Sequence, residues 1–358
     1  MWKLGEGIEE NRHKTQEEEE EVMNASHSIW NENPTFYIRS KRVYSTLVTI
    51  IYPFAHFCVL RKSPKSFGPL KWIIYFHTCC ISLEWLSNAF LIDIFDFQPS
   101  VVIKLDGFLS RSVDSVTLYL VYIWIEQVTS TSALILFTSR FLMIVNMYRP
   151  YRSAQRLFAE FLIYLTVSAF GLWPIITAVY SIPDQNLAKQ VMITREDEPV
   201  YPDCLWDTVA VVVSDPNAES EGWIAVLTLI NWISIGVAIF ASARIAFWLL
   251  SRRMTHQSEA TKNMHRKFNQ RTVFQALIYL SFASIPFSVL FNIHVPGLTY
   301  FIDFFSENHP TACAVTLFLY YDPYQVYLVD FLGIGKCDTS PTRPSTILIE
   351  KSTLARVG

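Results

Sequence analysis

The sequence predicts an all-α fold, a seven-transmembrane helix bundle with its N-terminus outside and its C-terminus cytoplasmic. Two observations predict it. Seven long apolar stretches lie along the chain, at 43–60, 72–92, 116–137, 157–180, 223–250, 273–294 and 311–331, each near or above the roughly 18 to 20 residues that cross a bilayer core. The loops between them alternate in basic content, and cytoplasmic loops retain Lys and Arg where translocated loops do not. Composition agrees, with 51% hydrophobic and 15% aromatic residues against 17% charged, too apolar for an ordinary soluble domain of this length.

Residues 1–42 are polar and include the acidic run at 17–21. They read as a disordered, extracellular N-terminal segment without a cleavable signal peptide, so that the first span acts as its own insertion signal. Within it, Asn24-Ala25-Ser26 is a glycosylation sequon, whereas Asn33-Pro34-Thr35 is not, because proline follows the asparagine. The seven-span unit occupies 43–333 and a flexible cytoplasmic tail 334–358, with Pro341, Pro344 and many Ser and Thr. Cys337, beside Lys336 just past the last span, is a candidate palmitoylation site or a free cytosolic thiol.

Charge sets the orientation. The first loop holds Arg61, Lys62, Lys65 and Lys71, and the third holds Arg140, Arg149, Arg152 and Arg156. The fifth holds Arg252, Arg253, Lys262, Arg266, Lys267 and Arg271. The even loops are poor in such residues, with Lys104 and Arg111 in the second, Lys189 and Arg195 in the fourth, and none from 295 to 310. One fact opposes the assignment: Arg39, Lys41 and Arg42 sit just before the first span. The long fourth loop, about 181–222, carries Pro183, Pro199, Pro202 and Pro216 and is large enough to fold over the outer mouth.

Polar residues inside spans are costly in lipid, so each one raises a functional question. Glu84 and Glu126 lie near the middle of the second and third spans. Helical spacing aligns Tyr119, Tyr122, Glu126, Thr129, Ser130 and Ala133 on one side of the third span, a stripe that should face the bundle interior. Tyr119, Tyr122 and Glu126 are candidate ligand contacts; the other reading makes Glu126 a protonated or hydrogen-bonded structural group. His77 and Asn231 read as interhelical hydrogen-bond partners, and Cys58, Cys79, Cys80 and Cys313 as small packing residues. Pro53, Pro174, Pro286 and Pro323 interrupt apolar runs, and Pro286, next to the basic fifth loop, suits a hinge.

Three segments resemble one family. Lys62-Ser63-Pro64-Lys65-Ser66-Phe67-Gly68-Pro69-Leu70-Lys71-Trp72 is similar to the first-loop motif of nematode serpentine chemoreceptors. Pro183-Asp184-Gln185 with Pro202-Asp203-Cys204 resembles the fourth-loop pattern of their class H (Srh) members. Thr261 to Phe268, with Gln275 and Ile285-Pro286, is similar to their fifth-loop and sixth-span signature. The third span closes on Phe137-Thr138-Ser139-Arg140-Phe141, which keeps the family's arginine and lacks its acidic neighbour. No cysteine near the outer end of the third span is available to pair with Cys204.

The resemblance implies a G-protein-coupled receptor that detects a small extracellular molecule, such as an odorant. Its partners would be a heterotrimeric G protein and the lipid bilayer, at the plasma or ciliary membrane of a sensory neuron. It also implies that Arg140 meets the G protein, with Arg252, Arg253, Arg266 and Lys267 as the surrounding basic surface. Taken singly, the loop residues other than Arg140 are better explained by positive-inside topology and attraction to anionic lipid. The alternatives are a transporter or channel using Glu84 and Glu126, or a receptor-like protein that no longer signals. No HExxH, Gly-rich phosphate loop or GxSxG elbow occurs, and six scattered cysteines contain no CxxC pair, so an enzyme, a bound metal or cofactor and a nucleic-acid partner are not expected.

Overall fold

Helices α1 (Thr35–Val48) and α2 (Ile51–Phe57) together fill the first apolar stretch, and Pro53 is the reason there are two. Proline has no N–H to give the Thr49 carbonyl; that carbonyl instead accepts from Tyr52 N at 3.3 Å. The computed structural model describes residues 35–97, 102–147, 154–194, 202–214, 220–253, 274, 276–278, 304 and 307–333. Helix α2 runs on through a wider turn, Cys58–Lys62. Helix α3 (Leu70–Leu86) is extended by a second such turn, Ser87–Leu91. The third and fourth stretches are α4 (Ser115–Met147) and α5 (Ala154–Ser181). Helix α6 (Gln185–Thr194) belongs to the fourth loop, and α7 (Ser220–Arg253) carries the fifth stretch.

The seventh stretch is also divided, into α8 (His309–Tyr320) and α9 (Asp322–Leu332). Tyr321 between them is extended, at φ −103° and ψ 110°, and Pro323 occupies the first turn of α9, where its missing N–H costs nothing. The sixth stretch, 273–294, lies almost entirely outside the described residues, and Pro286 with it. Tyr37–Lys62, Ser115–Met143 and Ala154–Ser181 are long and apolar enough to cross a membrane, and Ile233–Leu249 and His309–Leu319 are shorter apolar segments. The first helix begins at Thr35, ahead of the apolar run, and α4 continues past Phe137 with Arg140 inside it.

Helix α4 is the hub, packing against α3, α5 and α7, while α8 packs on α2 and α3. Their shared core includes Ile74, Ile81, Phe137, Ile239, Leu317 and Tyr324. Two details let the helices approach. Gly171 of α5 lies where any Cβ would run into Thr131 of α4. Pro174 deprives the Phe170 carbonyl of its intrahelical donor, and Asn231 Nδ2 of α7 donates to that same carbonyl at 3.0 Å. The asparagine thus fills a hydrogen bond that the proline removed.

A small antiparallel sheet covers one end of the bundle, in the order β1 (Ile94–Asp96), β2 (Val102–Leu105), β3 (Ala210–Val212). Ile94 pairs with Leu105, and Ile103 with Val211, so the second and fourth loops are stitched together. Period-two alternation gives the sheet two apolar faces. Ile94, Leu105 and Val211 face α4 with Leu118, Tyr119 and Tyr122. Phe95, Val102 and Val212 face α6, with Ala188, Met192 and Leu205. The order is therefore helix, sheet, bundle. Asp184 starts α6 by accepting the N–H groups of Asn186 and Leu187, each at 3.0 Å. Gln185 behaves as an extra strand residue, donating to Val212 O at 3.0 Å and accepting from Val212 N at 2.8 Å. The Pro-Asp-Gln motif of the sequence thus supplies the helix cap and the clip of this lid.

Candidate functional site

Polar chemistry gathers beneath the sheet, in the middle of the bundle. Thr129, Ser130 and Ala133 of the predicted stripe are buried, and Tyr119 and Tyr122 are half-buried against the sheet. Glu126, one turn from Tyr122, is close enough to Glu84 and His309 for their charges to be felt. Glu84, 4% exposed, stands across from His309, with Oε1 3.8 Å from Nδ1, and its Oε2 has no hydrogen-bond partner among the described residues. The other face of His309 meets Cys313, Nε2 to Sγ 3.3 Å. Tyr52, stacked on Trp85 with ring centroids 4.4 Å apart, joins its hydroxyl to Thr311 Oγ1 at 2.9 Å. Below this level His77 Nδ1 bonds Ser132 Oγ at 2.7 Å, the interhelical role its position in the sequence suggests.

At the sheet end an ion-pair cluster closes the wall between α1, the end of α3 and the start of α8. Lys41, 4% exposed, places Nζ 2.8 Å from Asp93 Oδ1 and 2.7 Å from Glu307 Oε2. Arg42 Nη2 reaches Asp93 Oδ2 at 3.1 Å and Asp106 Oδ2 at 3.0 Å. Asp93 has a left-handed backbone, φ 44°, which is strained for a residue with a Cβ; its two ion pairs hold it there. Burial, against the opposing pull of Lys41, pushes the Glu307 carboxyl up to about 7. Two of the three basic residues that opposed the charge pattern, Lys41 and Arg42, are thus the counter-ions of three acids.

At the far end of the bundle Arg140 is buried, 4% exposed. It donates from Nη2 to the Tyr321 hydroxyl, and its guanidinium lies 5.3 Å from the ring centroids of both Phe137 and Tyr321. Tyr321 also packs on Phe67 of the first loop at 5.5 Å. Beside it Tyr324 bonds Ser63 Oγ at 2.6 Å, and Lys62 sits 4.1 Å over the Tyr327 ring. The Lys62–Trp72 motif is therefore the seat of the divided seventh stretch.

Of the predicted site residues, Tyr119, Tyr122 and Glu126 come together, and Arg140 lies inside the bundle end instead of on its surface. Arg252 is exposed at the end of α7, 4.7 Å over the Trp248 ring. The side chain of Arg253, and Asn24, Arg266, Lys267, Pro286 and Cys337 entirely, lie outside the described residues. Sequence reasoning missed His309, Glu307, Asp93 and Tyr321 as site residues. A signal existed for the outer cluster, since Lys41 and Arg42 broke the charge rule. Cys204 is a half-buried thiol packed with Tyr37 on the α6 side of the sheet.

Residues 32–334 match the family model described as serpentine type 7TM GPCR chemoreceptor Srh. No curated protein matches the chain.

Proposed function

Because the chain belongs to the Srh family of serpentine seven-transmembrane chemoreceptors, we propose that it detects a small extracellular molecule in the bundle and signals to a heterotrimeric G protein. The family is one of multi-pass membrane receptors, not of enzymes. In this reading the sheet end faces outward and the Arg140 end faces the cytoplasm. The pairing of Lys41 and Arg42 with acids gives two of the three basic residues that oppose this orientation a structural role of their own. A sensory membrane, plasma or ciliary, is the setting such a receptor requires.

One observation carries the mechanism: α4, which bears Glu126 at the polar site, is tied by the Arg140 link to Tyr321, the residue that joins α8 to α9. Helix α4 carries Glu126 and Arg140, while α8 begins at His309 and ends beside Tyr321. At 1.5 Å per residue the two levels lie roughly 20 Å apart. A ligand that favours a new spacing of α4 and α8 near Glu126 shifts the balance between a state with Arg140 held and one with it released. Tyr321 takes the restraining part that an acid beside the arginine plays in other seven-span receptors. A released guanidinium is then free for the G protein.

The test is G-protein activation in a reporter cell supplying promiscuous G proteins, with surface delivery checked and small odorants applied. Arg140→Ala at equal delivery should abolish the response, and Tyr321→Phe should raise ligand-independent activity several-fold. A full response from Arg140→Ala would remove Arg140 from the mechanism. Solute or ion flux without nucleotide exchange would turn the reading toward a transporter.

A further inference from the structure

Glu84, Glu126 and the outer acids outnumber the bases that the described residues set against them. Asp93, Asp106, Glu307, Glu84 and Glu126 are five carboxylates within one path from the sheet to the bundle centre. Among the described residues they meet three bases, Lys41, Arg42 and His309. The outer three are neutralised by Lys41 and Arg42 as far as two bases can serve them. Among the described residues the base that reaches the inner two is His309, which sits against Glu84.

Two acceptors of the inner site have no donor among the described residues. The second oxygen of Glu84 is buried without a hydrogen bond, and so is Oδ1 of Asn88, one helical turn along the same face of α3. Across from them, Glu126 forms no hydrogen bond or ion pair with a described residue and feels the like charge of Glu84. A buried acceptor without a donor costs the full desolvation of that group, and a buried charge without a partner costs more. Aromatic rings accompany both carboxyls, with Trp85, next to Glu84 in the chain, stacked on Tyr52 and Tyr122 one turn from Glu126, and aromatic faces attract cations.

We propose that the bundle site takes a small organic monocation, a protonated amine, with its ammonium between Glu126 and Glu84 and its apolar portion against these aromatic rings. This rests on the receptor reading for its location in the bundle. An ammonium supplies both the missing charge and up to three N–H donors. An alcohol of the same skeleton supplies one donor and no charge, and a carboxylate is repelled. The excess of acids along the path from the sheet end concentrates cations at the mouth and disfavours anions.

The experiment uses full-length protein in lipid nanodiscs and matched panels of alkyl and arylalkyl amines, with the alcohols and carboxylic acids of the same skeletons. At least one amine should raise the melting temperature where its alcohol and acid do not. Glu126→Gln should weaken that amine about 10- to 100-fold, the scale of a lost hydrogen bond to a charged group. Glu84→Gln should weaken it in the same sense, and Glu126→Asp should keep the preference for amines. The inference is overturned if no amine binds, if alcohols or acids bind as well as amines, or if both glutamine variants keep full amine affinity. An amine that binds but elicits no G-protein activation would support this site while sinking the signalling mechanism. Activation by neutral odorants with no amine binding would do the reverse.

Discussion

Asn231 shows how one side chain makes another residue tolerable. The Phe170 carbonyl loses its intrahelical donor to Pro174 and takes the Asn231 amide in its place. Asn231→Ala should therefore destabilise the purified protein by about 1–3 kcal/mol, the cost of an unsatisfied buried group. In a Pro174→Ala background, where the backbone N–H returns, most of that loss should vanish. A double-mutant cycle on melting temperature checks it, and full additivity would show the two residues to be independent. Glu307 makes the second residue-scale case. Its folded pKa, about 7, lies above its ordinary 4.5, so the folded protein holds the proton more tightly than the unfolded chain. The stability this provides is complete below about pH 4.5 and is lost as pH rises through about 7. The melting temperature should fall across that window, and Glu307→Gln should flatten the fall; an equal slope in the variant would clear Glu307 of the effect.

Among the elements, the lid depends on two adjacent side chains. Asp184 caps α6, and Gln185 fastens that cap to both polar groups of Val212. Asp184→Ala should cost roughly 1 kcal/mol, as a lost N-cap does, and Gln185→Ala should add to it by freeing the sheet edge. Hydrogen exchange should rise in Gln185–Thr194 and Ala210–Val212 while α4 is unaffected. Exchange that rises equally in α4 would mean that the lid and the bundle open as one unit. The divided helices make the complementary point. Pro53 and Pro323 each coincide with a break, but Pro174 stays inside a continuous helix because a neighbour supplies the missing bond. A proline in a sequence marks where a hydrogen bond is lost, and packing decides whether the helix then breaks.

For the whole molecule, the proposed orientation makes a direct prediction. Glycan should appear on Asn24 and disappear in Asn24→Gln, while a tag after Gly358 should stain only in permeabilised cells; an intact-cell signal from that tag would reverse the bundle. Much of the architecture was legible in the sequence, because apolar length and the 3.6-residue period are properties of local segments. Those properties sufficed for the first, third and fourth apolar stretches, which form helices long enough to cross a membrane, for the inward stripe of Thr129, Ser130 and Ala133 and for the interhelical role of His77; the family resemblance rested on loop motifs. They could not reveal the sheet, whose first and last strands have three residues each, too short for alternation to stand out from neighbouring loop. Nor could they show that Lys41 and Arg42 meet Asp93, Asp106 and Glu307, or that Arg140 meets Tyr321, 181 residues away. Membrane insertion reads hydrophobicity and charge segment by segment, so the sequence by itself determined the seven-span character of this protein. Which buried charge found which partner was decided only by the tertiary structure, because such pairs join helices whose contact no local pattern encodes.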